Sequence, residues 1–324
     1  MSQMSFLDMD FSFKKRKTRR EKFLDKMEAL IPWEKLFEQI QPYYHARTQD
    51  GHKGGRPAYP LELMLRIHMV QLFYNLSDPA MEDALYEINS IRRFVGLTRF
   101  DQGIPDETSI MRFRHLLEAH NLGQKLFEQI RAELTDKGLY LKEGTIVDAS
   151  IIEAPSATKN KTRARDPEMA STKKGNQYYF GMKLHIGTDS GTGLIHSLHT
   201  TAANVHDITV ADKLLHGEEK SIHADAGYLG MEKREEHKAR KVKWRIALRH
   251  GQRKQLNEAG RQLEKLKSSI RAKVEHPFAI IKRQFGYHKV RYRGLKKNTN
   301  RLYVLAGLAN LVLADRFAKG TLQG

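Results

Sequence analysis

The chain has no cysteine. That excludes disulfide bridges and thiolate metal sites, although it does not by itself fix a compartment. Long apolar runs are missing too. Val304 to Ala314 is the longest candidate, and it falls short of the roughly 18 residues that a membrane span requires. Nor does an apolar h-region follow Met1-Ser-Gln-Met-Ser-Phe6, so a secretory signal is not expected and the protein reads as cytoplasmic. No internal repeat and no doubly wound alternation of strands and helices organises the chain. Negative charge is in deficit. Among 324 residues, 38 Asp and Glu stand against 56 Lys and Arg, leaving a net charge of +18. Such an excess implies a polyanionic partner, nucleic acid ahead of a membrane surface. With 40% hydrophobic and 29% charged residues, the composition is that of a folded, soluble chain with a sizeable core and two domains, one of them small.

What is present centres on Gly144-Thr-Ile-Val-Asp-Ala-Ser-Ile-Ile152, an apolar, β-branched run with Asp148 in its middle. It reads as a strand buried on both faces. An isolated carboxylate there costs several kcal/mol unless it is protonated, paired or bound to a cation. A salt bridge or an outward-facing side chain would also explain it. Ser221-Ile-His-Ala-Asp-Ala-Gly227 is a second strand of this kind with Asp225 at its carboxyl end, and two such acids favour one shared, metal-binding site.

Lys14-Lys-Arg-Lys-Thr-Arg-Arg20 is a basic run ahead of an amphipathic helix, either a solvated arm or a phosphate contact. Residues 45 to 60, with Gly51, Gly54, Gly55, Pro57 and Pro60, read as a loop. Helices are expected over Leu61 to Leu76, over Met81 to Asn89 after the Ser77-Asp-Pro79 cap, and from the capping cluster Asp106 to Ser109 through Leu117. They form a helix-turn-helix-like DNA-binding unit or an ordinary scaffold or dimerisation module. A further helix over Leu122 to Lys137 leads into the Asp148 strand. The polar stretch Glu153 to Gln177, with Lys159, Lys161, Arg163, Arg165, Lys173 and Lys174, reads as a mobile loop suited to a phosphodiester backbone. Residues 178–187 and 194–200 flank the Gly-rich turn 188–193 as an antiparallel hairpin. A short helix opens at Asn204 to Asp207, a basic helix is expected over Met231 to Arg240, and Trp244 to Leu248 is a fifth strand. This order of elements is that of a ribonuclease H-like fold, an α/β core preceded by a helical region. The boundaries are 1–60 for the basic arm and first helix, 61–138 for the helical domain and 139–324 for the catalytic domain with its basic tail.

Gln255 to Phe285 reads as mostly helical. Arg271, Glu275 and Lys282 are four and then seven residues apart, which puts them within roughly 40° on a helix surface. That face offers a carboxylate to a metal and two cations to phosphates, or else a plain ladder of ion pairs. Pro277 requires a kink just after Glu275 or a new helix beginning there. In the tail, Arg283, Lys289, Arg291, Arg293, Lys296 and Lys297 interleave with Phe285, Tyr287 and Tyr292. These aromatics either stack on bases or pack the core. Leu302 to Leu313 reads as a buried closing helix. Histidines 185, 196, 199 and 206 leave a zinc hydrolase as a distant alternative.

Arg271-Ala-Lys-Val-Glu275-His-Pro-Phe-Ala-Ile-Ile-Lys282, with Ile146-Val-Asp148-Ala and His223-Ala-Asp225-Ala-Gly-Tyr228, resembles the DDE transposases of bacterial insertion sequences, specifically the insertion sequence 5 group. The similarity extends through Met81 to Glu87, Lys173 to Gln177, Phe180 to Lys183 and Arg291 to Asn298, and so covers essentially the whole chain. Ser268 stands where the wider superfamily has a Tyr, so the contact made by that Tyr is not carried over. The resemblance implies that Asp148, Asp225 and Glu275 are catalytic and hold two Mg²⁺ ions, with Mn²⁺ as a substitute. It implies cleavage at terminal inverted repeats followed by joining to target DNA. Arg271, Lys282, Lys173, Lys174, Arg283, Lys289, Arg291, Arg293 and Lys296 are the expected DNA contacts, and His276, Asn204 and Asp207 the expected supports of the site. Bridging two transposon ends calls for at least a dimer, associated with the nucleoid. A nuclease on the same core that cuts without joining, or a domesticated DNA-binding regulator, are the rival readings.

Overall fold

The computed structural model describes residues 16–49, 58–98, 103–159, 161 and 163–320. Lys14, Lys15 and the glycines of the loop at 51–55 lie outside the described residues. The chain divides into two compact units, residues 1–129 and 130–324.

The first unit is helical: α1 (Arg19–Leu30), α2 (Trp33–Gln49), α3 (Leu61–Phe73), α4 (Asp78–Glu87), α5 (Asn89–Val95), α6 (Glu107–Ala119) and the start of α7 (Leu122–Asp136). Thr18 opens α1 with a capping box to Glu21, so the basic run of the sequence flows directly into a helix. Ser77 and Asp106 cap α4 and α6 as their sequence positions imply, the Ala80 and Ser109 amides donating to the two side chains at 3.3 and 2.6 Å. α2 runs to Gln49, so the expected loop begins later than residue 45. The guanidinium of Arg66 on α3 donates to Glu28 of α1 at 2.5 Å and lies 4.3 Å from the Trp33 ring. Residues on either side of position 60 therefore belong to one packed body. Arg114, 6% exposed, donates to Asp78 at 2.7 Å and to Glu118 at 2.8 Å. Burial raises the Asp78 carboxyl, but hydrogen bonds from Arg114 and Gln71 outweigh it and hold the group below its ordinary range.

The second unit is built on a six-stranded mixed sheet: β1 (Gly144–Glu153), β2 (Ala170–Lys174), β3 (Gln177–Asp189), β4 (Ile195–Ala202), β5 (Ser221–Ala224) and β6 (Lys243–Ile246). β1, β3 and β4 form an antiparallel meander, β5 and β6 add to β1 in parallel, and β2 pairs with the first part of β3. This is the expected ribonuclease H-like, mixed α/β arrangement. The stretch read as a mobile loop differs: residues 170–174 are a strand. Its exposed, polar side chains carry no apolar period, because β2 buries little and is held mainly by its ladder to β3. Before it, Asp166 and Glu168 accept the Gly294 and Leu295 amides, both at 2.6 Å. Gly181 is required where the strands meet, since a Cβ there would stand 2.1 Å from the Ile152 carbonyl oxygen.

One face of the sheet packs Val147, Ile222, Ala224 and Ile246 against Ala211, Leu214, Tyr228 and Met231. Asp207–Leu214 is a 3₁₀ segment capped by His206. Residues 231–240, expected as one helix, form two 3₁₀ turns separated by an extended Arg234. Met231 and His237 are both buried, yet six residues of α-helix would point them roughly 120° apart, so a continuous helix would need a broad apolar face, which the charged residues between them do not supply. After α8 (His250–Arg253), α9 (Glu258–Ala272) ends, a turn at Lys273 and Val274 intervenes, and α10 (Glu275–Ala279) begins, followed by a π turn over Ile280–Gln284. Pro277 thus sits in the first turn of a new helix, where its missing N–H costs nothing. α11 (Leu295–Ala318) closes the fold. Its buried Asn310 accepts the Ile195 amide at 2.8 Å and donates to the Ile195 carbonyl at 2.7 Å, occupying backbone groups of the edge strand β4. Among the described residues no helix is long and apolar enough to cross a membrane.

Candidate active site

The three acids reach one cleft from three elements. Asp148 comes from the middle of β1. Asp225 follows β5, where its Oδ1 accepts the Gly227 amide at 2.8 Å and caps the next 3₁₀ turn. Glu275 is the first residue of α10. Together with Arg271, Lys174, Lys282 and Arg283 they line a cleft of about 510 Å³. The sequence separation between the acids is large, and only the parallel pairing of β1 with β5 brings the first two together.

Asp148 differs from the buried acids of this unit. Asp189, 3% exposed, accepts backbone amides from Leu141, Lys142, Gly191 and Thr192 at 2.9 to 3.0 Å. Glu219 and Glu264 are likewise served by amides and nearby cations. Asp148 has the amide of its own neighbour Ala149, at 2.7 Å, and Arg271 at 3.7 Å. Burial, reinforced by the charges of Asp225 and Asp207, pushes its pKa up to about 6 against the pull of that amide and of Arg271. A second sign of unmet polarity is the Tyr228 hydroxyl, buried without a hydrogen-bond partner and within electrostatic reach of Asp207, Asp148 and Asp225. Excess negative charge beside an orphaned phenol suits a bound cation, and hard carboxylate oxygens suit a divalent ion.

Glu275 is more open, its side chain 67% exposed, and lies 3.9 Å from Arg271. The Arg271 guanidinium therefore stands between Asp148 and Glu275, at the long end of ion-pair distance from each. Among the described residues no three histidine, aspartate or glutamate side chains converge closely enough to hold a metal ion. The acids share a cleft without meeting at one point.

The remaining expected residues separate into groups. Lys282 lines the cleft, but its ammonium donates to the Ile151 carbonyl at 2.6 Å and so ties the π turn to β1. Burial, with help from the Lys174 charge, lowers its pKa. Lys173 and Lys174 end β2 beside the cleft. Lys289 bridges to Glu153, extending the β1 edge. Arg291, Arg293 and Lys296 are exposed on the segment leading into α11, which buried Asn298 organises by accepting from the Tyr287 hydroxyl and donating to the Tyr292 and Gly294 carbonyls. Phe285 and Tyr287 are core residues, 1% and 0% exposed, which settles their role as packing. His276 and Asn204 are exposed and do not line the cleft. Asp207 pairs with Lys183 at 2.9 Å, and Lys183 also donates to the Val205 carbonyl at 2.7 Å. Sequence reasoning assigned no role to Lys183 or Tyr228. Their signal was only their place in the Phe180–Lys183 and Asp225–Tyr228 stretches. The four histidines of the zinc alternative do not form a centre. His185 bonds to Thr201, His196 to Thr145 and Ser197, and His206 caps a 3₁₀ segment.

A ribonuclease H-like sheet that delivers carboxylates from adjacent central strands to a cation-lined cleft defines a metal-dependent enzyme of phosphodiester chemistry. Residues 140–311 match the family described as Transposase DDE domain, and residues 11–116 match the one described as Transposase domain (DUF772). The chain belongs to the DDE transposase-domain family, and its substrate is DNA. No solved structure matches it.

Proposed function

We propose that this protein is a transposase of the insertion sequence 5 group that binds the terminal inverted repeats of its element, cleaves there and joins the freed end to target DNA. The observation that carries the reading is the under-neutralised Asp148 sharing one cleft with Asp225, Glu275 and four cations. Asp148, Asp225 and Glu275 would hold two Mg²⁺ ions, or Mn²⁺ in their place, with a rotation of the exposed Glu275 side chain completing the set. The metal supplies stabilisation of the attacking and leaving oxygens of an in-line displacement. The chain's own residues supply position. Asp225 is fixed by its cap on Gly227, and Asp148 by the β1 ladder. Arg271 leaves the acids for a phosphate oxygen, and Arg283 and Lys174 take neighbouring phosphates. Lys282, held to Ile151, keeps the cation-bearing turn at the strand. Lys173, Lys289, Arg291, Arg293 and Lys296 extend the contact along the backbone. His276, Asn204 and Asp207 act through these groups rather than on the substrate, Asp207 by holding Lys183.

In the helical unit, α4 presents exposed Asp83 and Glu87, charges that phosphates repel, so α4 is not the helix we assign to a DNA groove. Two ends need two sites, which supports a homodimer on DNA, cytoplasmic and nucleoid-associated. The test uses purified protein, Mg²⁺ and a DNA fragment bearing the element's end. Asp148→Asn should reduce cleavage at least 1,000-fold, roughly 4 kcal/mol of barrier, with end binding within about twofold of wild type. Joined products from a pre-nicked end distinguish a transposase from a nuclease; cleavage that survives the substitution refutes the assignment.

A further inference from the structure

Resting on DNA as the substrate, we propose that Tyr178 is a stacking platform for an unpaired nucleobase of the strand leaving the acidic cleft. Tyr178 is 75% exposed, more than any other large apolar side chain among the described residues. It stands on a rigid mount. Lys174 and Gln177 are register partners, so the β2–β3 hairpin turns through Gly175 and Asn176 alone, and Gly175 takes a φ of 62° that a side chain would resist. Lys173 is the cross-strand partner of Tyr178 and places its ammonium 5.6 Å from the ring centroid.

Direction follows from register. Tyr178, Phe180, Met182, Leu184 and Ile186 share one face of β3 by the period of two, and Ile186 is the partner of Asp148. The hairpin therefore extends the sheet face that carries the catalytic strand's acid. Along that face Met182, Leu184 and Ile186 are buried, the Arg165 guanidinium covers Phe180 at 5.3 Å, and Tyr178 is left bare at the end. Lys174, at the same tip, lines the cleft with Asp148, Asp225 and Glu275. The hairpin tip thus borders the cleft through Lys174, while Lys173 and Tyr178 stand on its other face, so a strand leaving the cleft reaches the open side of the ring by passing around the tip.

A net charge of +18 disfavours a second copy of the chain as the occupant and favours a polyanion. A ring with one open π face takes a base that is not already stacked on both sides, which means an overhang or a splayed nucleotide.

The test compares the full-length protein with Tyr178→Ala, Tyr178→Phe, Tyr178→Trp and Lys173→Ala. The probes are a blunt duplex of about 30 base pairs, ample for one binding site, and the same duplex with a short single-stranded overhang carrying 2-aminopurine. Wild type should bind the overhang probe more tightly than the blunt one and change the fluorescence of 2-aminopurine. Tyr178→Ala should lose roughly tenfold or more in affinity for the overhang, together with the fluorescence change. Its blunt-duplex affinity and sedimentation mass should stay as in wild type. Tyr178→Phe and Tyr178→Trp should restore the signal, and Lys173→Ala should weaken both probes alike. A Tyr178→Ala protein that keeps the overhang preference overturns the proposal, and so does one whose sedimentation mass falls, which would make the ring a subunit contact. Failure of wild type to bind either probe overturns the DNA reading along with it.

Discussion

Two aspartates on the β1–β3 strand pair behave oppositely. Asp189 is satisfied by four backbone amides, as a structural acid must be. Asp148 lies within electrostatic reach of Asp225 and Asp207, with one amide and a distant guanidinium. Its raised pKa has a consequence for stability whose sign is fixed by linkage. A carboxyl whose folded-state pKa exceeds its unfolded value stabilises the fold below the unfolded value, near 4, and loses that contribution as pH rises through about 6. Asn at this position cannot ionise. In metal-free buffer Asp148→Asn should therefore be more stable than wild type at pH 8, by at most about 3 kcal/mol, since each tenfold change in proton affinity is worth about 1.4 kcal/mol. The difference should shrink towards pH 4. Urea melts across this pH range check it, and a variant less stable than wild type at pH 8 would mean that Asp148 is well paired after all.

Among the elements, α11 shows how a helix can be part of a sheet's hydrogen bonding. Asn310 bonds both backbone groups of Ile195, whose carbonyl also accepts from the Tyr140 hydroxyl, and it is fully buried. Asn310→Leu should destabilise the second unit by roughly 1–3 kcal/mol, because the Ile195 amide loses its partner in a dry place, while the Ile195 carbonyl keeps the Tyr140 hydroxyl at 2.8 Å. Denaturant unfolding monitored on the full chain would measure it, and a change under about 0.5 kcal/mol would show that water reaches that edge. The sequence carried this helix through its apolar run, but it could not carry the Asn310 contact, which joins positions 115 residues apart. The same division runs through the fold. β1, the β3–β4 hairpin and β5 were legible because apolar, β-branched residues fill them. The break before α10 was legible because Pro277 allows few alternatives. β2 was not, since Ser171, Thr172, Lys173 and Lys174 have no apolar period and are ordered by pairing to β3. The turns at 231–240 were not, since tertiary burial of Met231 and His237 overrides local helix propensity. At the site, Asp148 and Asp225 were legible as candidates through their strands, and Glu275 through the resemblance to a family, its helical spacing from Arg271 and Lys282 fitting a plain ion-pair ladder as well. Arg271 standing between two of them is a matter of three dimensions, as are the orphaned hydroxyl of Tyr228 and the Asp207–Lys183 pair.

At the scale of the molecule, a +18 chain gathers cations around a small negative centre. On the proposed function the contrast serves the chemistry: the surplus charge would draw the DNA backbone in, while the acids would need divalent ions before a phosphodiester could approach them. Glu275 is the acid on which the proposed metal-holding set most depends, exposed and separated from Asp148 by the guanidinium of Arg271. The most direct measurement is metal-dependent cleavage of the element's own end by Glu275→Gln, read alongside Mn²⁺ binding by the same protein. A three-acid centre predicts weakened Mn²⁺ binding and cleavage reduced at least about 1,000-fold, with DNA affinity retained. Wild-type cleavage and Mn²⁺ affinity in Glu275→Gln would contradict it.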